Sequence, residues 1–320
     1  MNAPGRLAAI EALERGVANV RANSELVLAQ ILGSLLMAAS ILIPAVYFLG
    51  RIGLPWSLLA SNDTEAIREA TEAMSLDLPS LLPLLGFALL LFAVVGTLVF
   101  VLYCFVQAGT LAALSAADAQ APPGRGLPLE VFRTFSWRLF AEWSRRFGWR
   151  LFWLLNLYLA LVTAIVGLVA IVVVLSASAF GDGSAWAGCA LGCGLSVPLV
   201  FLLFVLWIST QLGSAALVVE DCSVGRAFRQ GLSLTGRRLG AVLLLLLLLF
   251  AGSFVISMFF GLIGFGVNLV LSSPSVLRSA VSGGLGFLQL ALNTVLSLVF
   301  LGAFVALARD AHRAERSAAG

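Results

Sequence analysis

The chain has 320 residues, 61% of them hydrophobic and only 11% charged, with a formal net charge of +3 and a mean hydropathy of +1.05. Soluble domains carry about a quarter charged residues, so this composition excludes an ordinary soluble fold. The small net charge says little by itself; its distribution along the chain says more.

Six uncharged runs, at 26–49, 80–108, 151–176, 187–218, 239–270 and 284–308, each exceed the roughly 18 residues that mark a transmembrane candidate. They are continuous and show no polar–apolar alternation, which favours helices over barrel strands. The predicted fold is therefore an all-α integral membrane protein with six transmembrane helices, a single domain over 1–320. All 19 basic residues are arginine. All but Arg51, Arg68 and Arg278 lie in the N-terminus, in 118–150, in 220–238 or in the tail. By the positive-inside rule this places both termini in the cytoplasm and the chain in a bacterial inner membrane. Glu11, Glu14 and Glu25 interrupt the first 25 residues, and no cleavable signal peptide is expected.

Residues 7–24 have Leu7, Ile10, Leu13, Val17 and Val20 at three- and four-residue steps, predicting an amphipathic helix. It leads into the first span, where Pro44 is placed to bend the outer third. The segment NDTEAIREATEAM in the following loop reads as a short acidic helix. The second span opens after Pro79 and ends at QAGTLAALSAADA, before the chain breaks at PPGRGLP. A helix is predicted over 130–150. On it Phe132, Phe135, Leu139, Phe140, Trp143 and Phe147 form one stripe, Arg133, Arg138, Arg145 and Glu142 lie largely outside it, and Arg146 joins the arginines assigned to the membrane interface. An aromatic stripe backed by arginine suits a helix lying among lipid headgroups; it equally suits one docking its aromatics on the bundle. Nucleic-acid binding is disfavoured, because the aromatics occupy the apolar face. Arg229, Arg237 and Arg238 extend the same membrane-interface assignment to the helix before the fifth span.

The ends of the even-numbered spans align as Gln107-Ala-Gly109 up to Asp118, Gln211-Leu-Gly213 up to Asp221, and Leu301-Gly302 up to Asp310. The lead-in AFRQGLSLTGRRLGAV (227–242) aligns without gaps on ALERGVANVRANSELV (12–27), and its GRRLG matches SRRFG at 144–148. These matches predict three parallel repeats, about 7–118, 130–221 and 226–310, each an interfacial helix plus two spans, with a short tail over 311–320. A pseudo-threefold packing about the membrane normal follows naturally.

Around GSAALVVEDCSVGRAFRQGLSLTGRR the chain resembles the membrane domain associated with glycerophosphodiester phosphodiesterases. The likeness rests on Val218-Val219-Glu220 and on Ala227, Phe228, Arg229, Gly231, Leu234, Thr235 and Gly236. It covers about forty residues closely. In that family catalysis belongs to a separate soluble barrel, for which this chain has no room, so the resemblance implies the membrane module without its enzyme.

The reactive inventory is short. His312 stands alone in the tail, where solvation is the plain expectation. Cys189 and Cys193, four apart on a helix, suit neither zinc nor a disulfide and read as small packing residues. No nucleophile elbow, phosphate loop or metalloprotease motif occurs, and neither catalytic residue, metal site nor cofactor is expected. Gln107, Gln211, Asn156, Asn268 and Asn293 are the polar residues expected inside lipid; they either bond between helices or line a polar cavity. The expected function is a non-catalytic module that binds or organises lipid, anionic phospholipid included, or supports partner membrane proteins, with no nucleic-acid partner. A permease or channel for a small neutral or lipidic solute is the alternative.

Overall fold

The computed structural model describes residues 7–52, 78–122, 127–180, 185–270 and 276–319, all helical or connecting, with no strand among them. Seven α-helices follow in order: α1 (Ala9–Ala22), α2 (Glu25–Ile52), α3 (Leu78–Gln120), α4 (Trp137–Phe180), α5 (Ala185–Val219), α6 (Val224–Val270) and α7 (Val276–Ala319). A 3₁₀ turn, Leu129–Phe132, precedes α4. Helices α2 to α7 are six elements long and apolar enough to cross a membrane. The acidic segment at 62–74 and the loops around 123–126, 181–184 and 271–275 lie outside the described residues.

Residues 31–104 form one compact unit, containing most of α2 and the N-terminal part of α3. Residues 1–30 and 105–320 form the other. In the larger unit the core gathers at the arginine-bearing ends of the helices. Leu111, Leu114, Leu151, Leu154, Ile208, Leu212, Leu217, Leu245, Leu298 and Leu307 are fully buried there. Beyond them the same helices are apolar and exposed: Leu168, Val174, Val200, Phe250, Phe254, Phe265 and Leu277 all face outward. An exposed apolar surface of this extent is costly in water and neutral in hydrocarbon.

Glycines set how closely the core helices approach. A Cβ on Gly16 would run into the carbonyl of Val299, and one on Gly302 would stand 2.9 Å from the Gly16 Cα. A Cβ on Gly231 would meet the Ser209 carbonyl and lie 3.0 Å from the Gly213 Cα, while one on Gly213 would lie 3.2 Å from the Ala227 carbonyl. At Gly109 the neighbours are Ser144 and the Phe140 ring. Thus α1 seats on α7, the start of α4 on the end of α3, and the start of α6 on α5. Small residues permit this backbone contact, which adds van der Waals attraction along the seam. Tyr158 bolts the last of these seams: its hydroxyl donates to the Ser209 carbonyl at 2.8 Å, and its ring lies 4.9 Å from that of Phe228.

Two backbone details follow from local chemistry. At Asn23, where α1 ends, φ is −122° and ψ 55°; at Arg238, inside α6, the values are −127° and 24°. In the gap-free alignment of 227–242 on 12–27, Arg238 stands opposite Asn23. Helix α4, by contrast, runs unbroken through Arg146.

The helix predicted over 130–150 is corrected: only its part from Trp137 onward is α-helix. Asn23 supplies the physical reason. Its Nδ2 donates to the Phe132 carbonyl at 2.7 Å, and its Oδ1 accepts the Thr134 and Phe135 N–H groups at 3.0 and 2.9 Å. A buried amide that satisfies three backbone groups holds 132–135 away from the helix. The predicted stripe on α1 divides: Val20 is buried and Leu7 and Leu13 pack against the core, while Ile10 and Val17 are exposed; Ala9, Ala12, Arg15, Gly16 and Asn19 are buried. Close approach at Gly16 selects the small-residue face over the bulky one. Pro44, Pro83 and Pro198 all sit inside continuous helices.

Replacing Gly16 or Gly231 with alanine should therefore destabilise the protein by about 1–3 kcal/mol through overpacking. Gly236→Ala, where a Cβ meets nothing within 4 Å, should instead be neutral or stabilising by up to about 1 kcal/mol. Thermal unfolding of the three variants in one detergent separates the two outcomes.

Candidate functional site

The arginine-bearing end of the larger unit collects nearly all the polar chemistry described. At its centre is Asp118, near the end of α3 and 2% exposed. Arg15 Nε donates to its Oδ1 at 2.8 Å, and the Arg15 guanidinium also reaches the carbonyl of Pro122 at 3.1 Å. Arg309 on α7 brings Nε to 3.1 Å from the other carboxylate oxygen, at ion-pair distance but out of line for a hydrogen bond. Its Nη2 donates to both the carbonyl and Oγ of Ser115 at 2.7 Å. Two guanidinium groups thus share one buried carboxylate, and main-chain carbonyls take up their remaining donors. Asn19 continues the row by donating to the Leu114 carbonyl at 2.9 Å.

Asp221 and Asp310 occupy the corresponding places on α5 and α7. Asp221, at φ 47°, turns the chain after α5 in the left-handed region that aspartate tolerates better than most residues. It pairs with Arg146 and, at 2.7 Å, with Arg150. Asp310 takes Arg238 at 2.6 Å and the Leu7 N–H at 3.1 Å. Arg146 and Arg238 are equivalent in the alignment of SRRFG with GRRLG. Each of the three aspartates is paired with an arginine that precedes it in the chain: Asp118 with Arg15, Asp221 with Arg146, and Asp310 with Arg238.

His312 Nδ1 stands 3.4 Å from Glu220, which also accepts a hydrogen bond from Gln230 at 2.5 Å. Cys222, between α5 and α6, is buried 3.7 Å from the Gln230 Oε1. Burial foremost, then the Glu220 charge, raises its thiol pKa above the ordinary value, which keeps it protonated and unreactive at neutral pH.

The predicted interface residues divide. Phe132 and Phe147 are buried, and Phe135, Phe140 and Trp143 pack partly buried against the cores, so most of the stripe is spent inside the protein. Leu139 and Trp137 remain exposed, as do Trp149 and Trp153 about three to four turns further along α4. Arg133, Arg138, Arg145, Arg226 and Arg229 are exposed and have no ion-pair partner among the described residues. Arg237 makes only a surface pair with Glu315 at 3.1 Å.

Of the predicted polar lining, no hydrogen bond joins Gln107, Gln211, Asn156 or Asn293 to one another among the described residues. Gln107 accepts from Gln30 at 3.3 Å, and Gln30 also donates to Thr110 at 2.9 Å. Asn156 donates to its own helix at Phe152. The Asn293 side-chain oxygen is buried with no partner among the described residues; the Asn268 side chain lies outside them. No group of three or more His, Cys, Asp or Glu able to hold a metal occurs among the described residues.

The sequence reading missed Arg15, Asn19 and Asn23 as functional structure. Their signal was present: three polar residues at four-residue steps on a helix whose other rows are apolar or acidic.

A family model described as a domain of unknown function, DUF7847, matches residues 143–311, just over half of the chain. The chain belongs to the DUF7847 family. The matched stretch runs from Trp143 in α4 to Ala311 in α7 and so takes in Asp221, Asp310 and their arginines, while Arg15 and Asp118 precede it. Neither a curated protein nor a solved structure matches the chain.

Asp118→Asn would leave two guanidinium groups buried without a counter-charge, and should cost about 3–5 kcal/mol of stability. Asp221→Asn removes an exposed pair, with side chains 58% and 42% exposed, and should cost less than about 1 kcal/mol. Denaturation midpoints of the two variants should therefore differ clearly; similar losses would contradict the ranking.

Proposed function

We propose that this DUF7847 protein is a multi-pass, non-catalytic protein of the bacterial cytoplasmic membrane that binds and organises anionic phospholipid at its cytoplasmic face. In this reading three parallel copies, each a lead-in helix and two spans, close into a ring about the membrane normal. Both termini and the arginine-bearing end face the cytoplasm. The membrane domain that accompanies the phosphodiesterases is the expected architectural relative.

One observation carries the reading. Exposed arginines with no ion-pair partner among the described residues (Arg133, Arg138, Arg145, Arg226 and Arg229) lie with exposed Trp137 at one end of the unit, exposed Trp149 and Trp153 follow further along α4, and a broad exposed apolar surface adjoins them. Tryptophan favours the headgroup level, and each arginine near an anionic leaflet contributes about 1 kcal/mol of attraction. The paired arginines serve the fold; the unpaired ones remain for phosphate. The cyclic pattern of glycine seats and aspartate pairs supports the three-copy ring. The filled leucine core and the inter-helix bonding of Gln30 with Gln107 support a binding module over a conduit.

The permease reading has one observation in its favour, the unpartnered buried oxygen of Asn293. Reconstitution distinguishes the two. In proteoliposomes of phosphatidylcholine and phosphatidylglycerol, the full chain should immobilise spin-labelled phosphatidylglycerol in preference to phosphatidylcholine, with small-solute flux no faster than in empty vesicles. Saturable solute flux, or no lipid preference, would overturn the proposal.

A further inference from the structure

One face of α6 changes character along its length in a way that fits a single amphiphile. Arg229 and Gly236, seven residues apart before the break at Arg238, share one side of the lead-in, and Gly240, Leu243, Leu247 and Phe250, at steps of three, four and three residues after it, share one side of the span. All six are exposed. At the apolar end, Leu243, Leu247, Phe250 and Ser253 join Phe204 and Trp207 of α5 around an open groove of about 780 Å³. At the basic end, Arg226, Arg229, Gln230 and Ser233 border a polar recess of about 510 Å³. Between the two, Gly236 and Gly240 leave the helix bare, with nothing within 4 Å of where a Cβ would stand.

We infer that this face is a binding site for one anionic phospholipid, with an acyl chain in the α5–α6 groove and the phosphate over the Gly236–Gly240 gap. This rests on the membrane reading above and names its ligand site. Length argues for a lipid chain over a partner's helix. The groove spans ten residues of α6, about 15 Å, which is half of the roughly 30 Å hydrocarbon thickness and matches one leaflet. A partner helix crossing the bilayer would need a seat about twice as long. Charge argues for an anion. Arg237 stands one turn from Gly240, and its pair with Glu315 is exposed on both sides, so a phosphate can displace it. Arg229 lies about 10 Å below Gly236 along the helix axis and has no ion-pair partner among the described residues, leaving it to the outer part of the headgroup. The break at Arg238 marks where the polar face gives way to the apolar one, and Trp207 at the groove is the residue type that settles at that depth.

Native mass spectrometry of the full chain, purified in mild detergent and offered phosphatidylglycerol and phosphatidylcholine of identical chains, tests this. Wild type should retain phosphatidylglycerol preferentially. Arg229→Gln and Arg237→Gln should each lower that preference about fivefold. Leu247→Trp, which fills the groove from an exposed position and is checked by its unfolding midpoint, should cut retention of both lipids. A preference kept in full by Arg229→Gln and Arg237→Gln, or retention unaffected by Leu247→Trp, overturns this site while leaving the broader lipid-binding reading intact. A wild type without preference overturns both.

Discussion

Backbone contact at glycine is the constraint on which the rest of the larger unit depends. Gly16 against Gly302 and Gly231 against Gly213 bring helices closer than any side chain would allow. With α1 held on α7 and α6 held on α5, Arg15 pairs with Asp118 of α3 and Arg238 with Asp310 of α7. A methyl group at either seat would push the seated helices apart. Sterics set the geometry, and electrostatics then exploits it.

The two kinds of contact run in different directions around the unit. Salt bridges join Arg15 to Asp118, Arg146 to Asp221 and Arg238 to Asp310. Small-residue seats join α1 to α7, α4 to α3 and α6 to α5. The buried member of the series, Asp118 between Arg15 and Arg309, is costly to form and costlier to break. The exposed member at Asp221 is a weak tether. Burial, more than the identity of the partners, ranks them.

Much of the architecture was legible because lipid imposes a simple code. Uninterrupted apolar length gave the six long helices, and the Gly-to-Asp spacing pointed to the positions that meet or pair in space. What failed to show was orientation within the packed end. On α1 the small and polar residues Ala12, Arg15, Gly16 and Asn19 pack together with Leu7, Leu13 and Val20, while the equally apolar Ile10 and Val17 stay exposed. Hydrophobic periodicity assumes burial in proportion to apolar size, and close backbone contact reverses that order. The break at 133–136 was equally hidden, because its cause is an amide more than a hundred residues away, Asn23. The aromatic stripe on α4 illustrates a third limit. Phe132 and Phe147 are core residues here, whereas the tryptophans that remain exposed were not singled out.

Sidedness is the claim from which every functional statement above descends, since arginines facing the wrong leaflet would have no anionic surface to meet. Single cysteines introduced at Arg145 and at Ser178 of an otherwise cysteine-free chain test it with a membrane-impermeant maleimide. In intact cells the reagent should label Ser178→Cys and leave Arg145→Cys untouched until the membrane is permeabilised. Labelling of Arg145→Cys from outside intact cells would contradict the account.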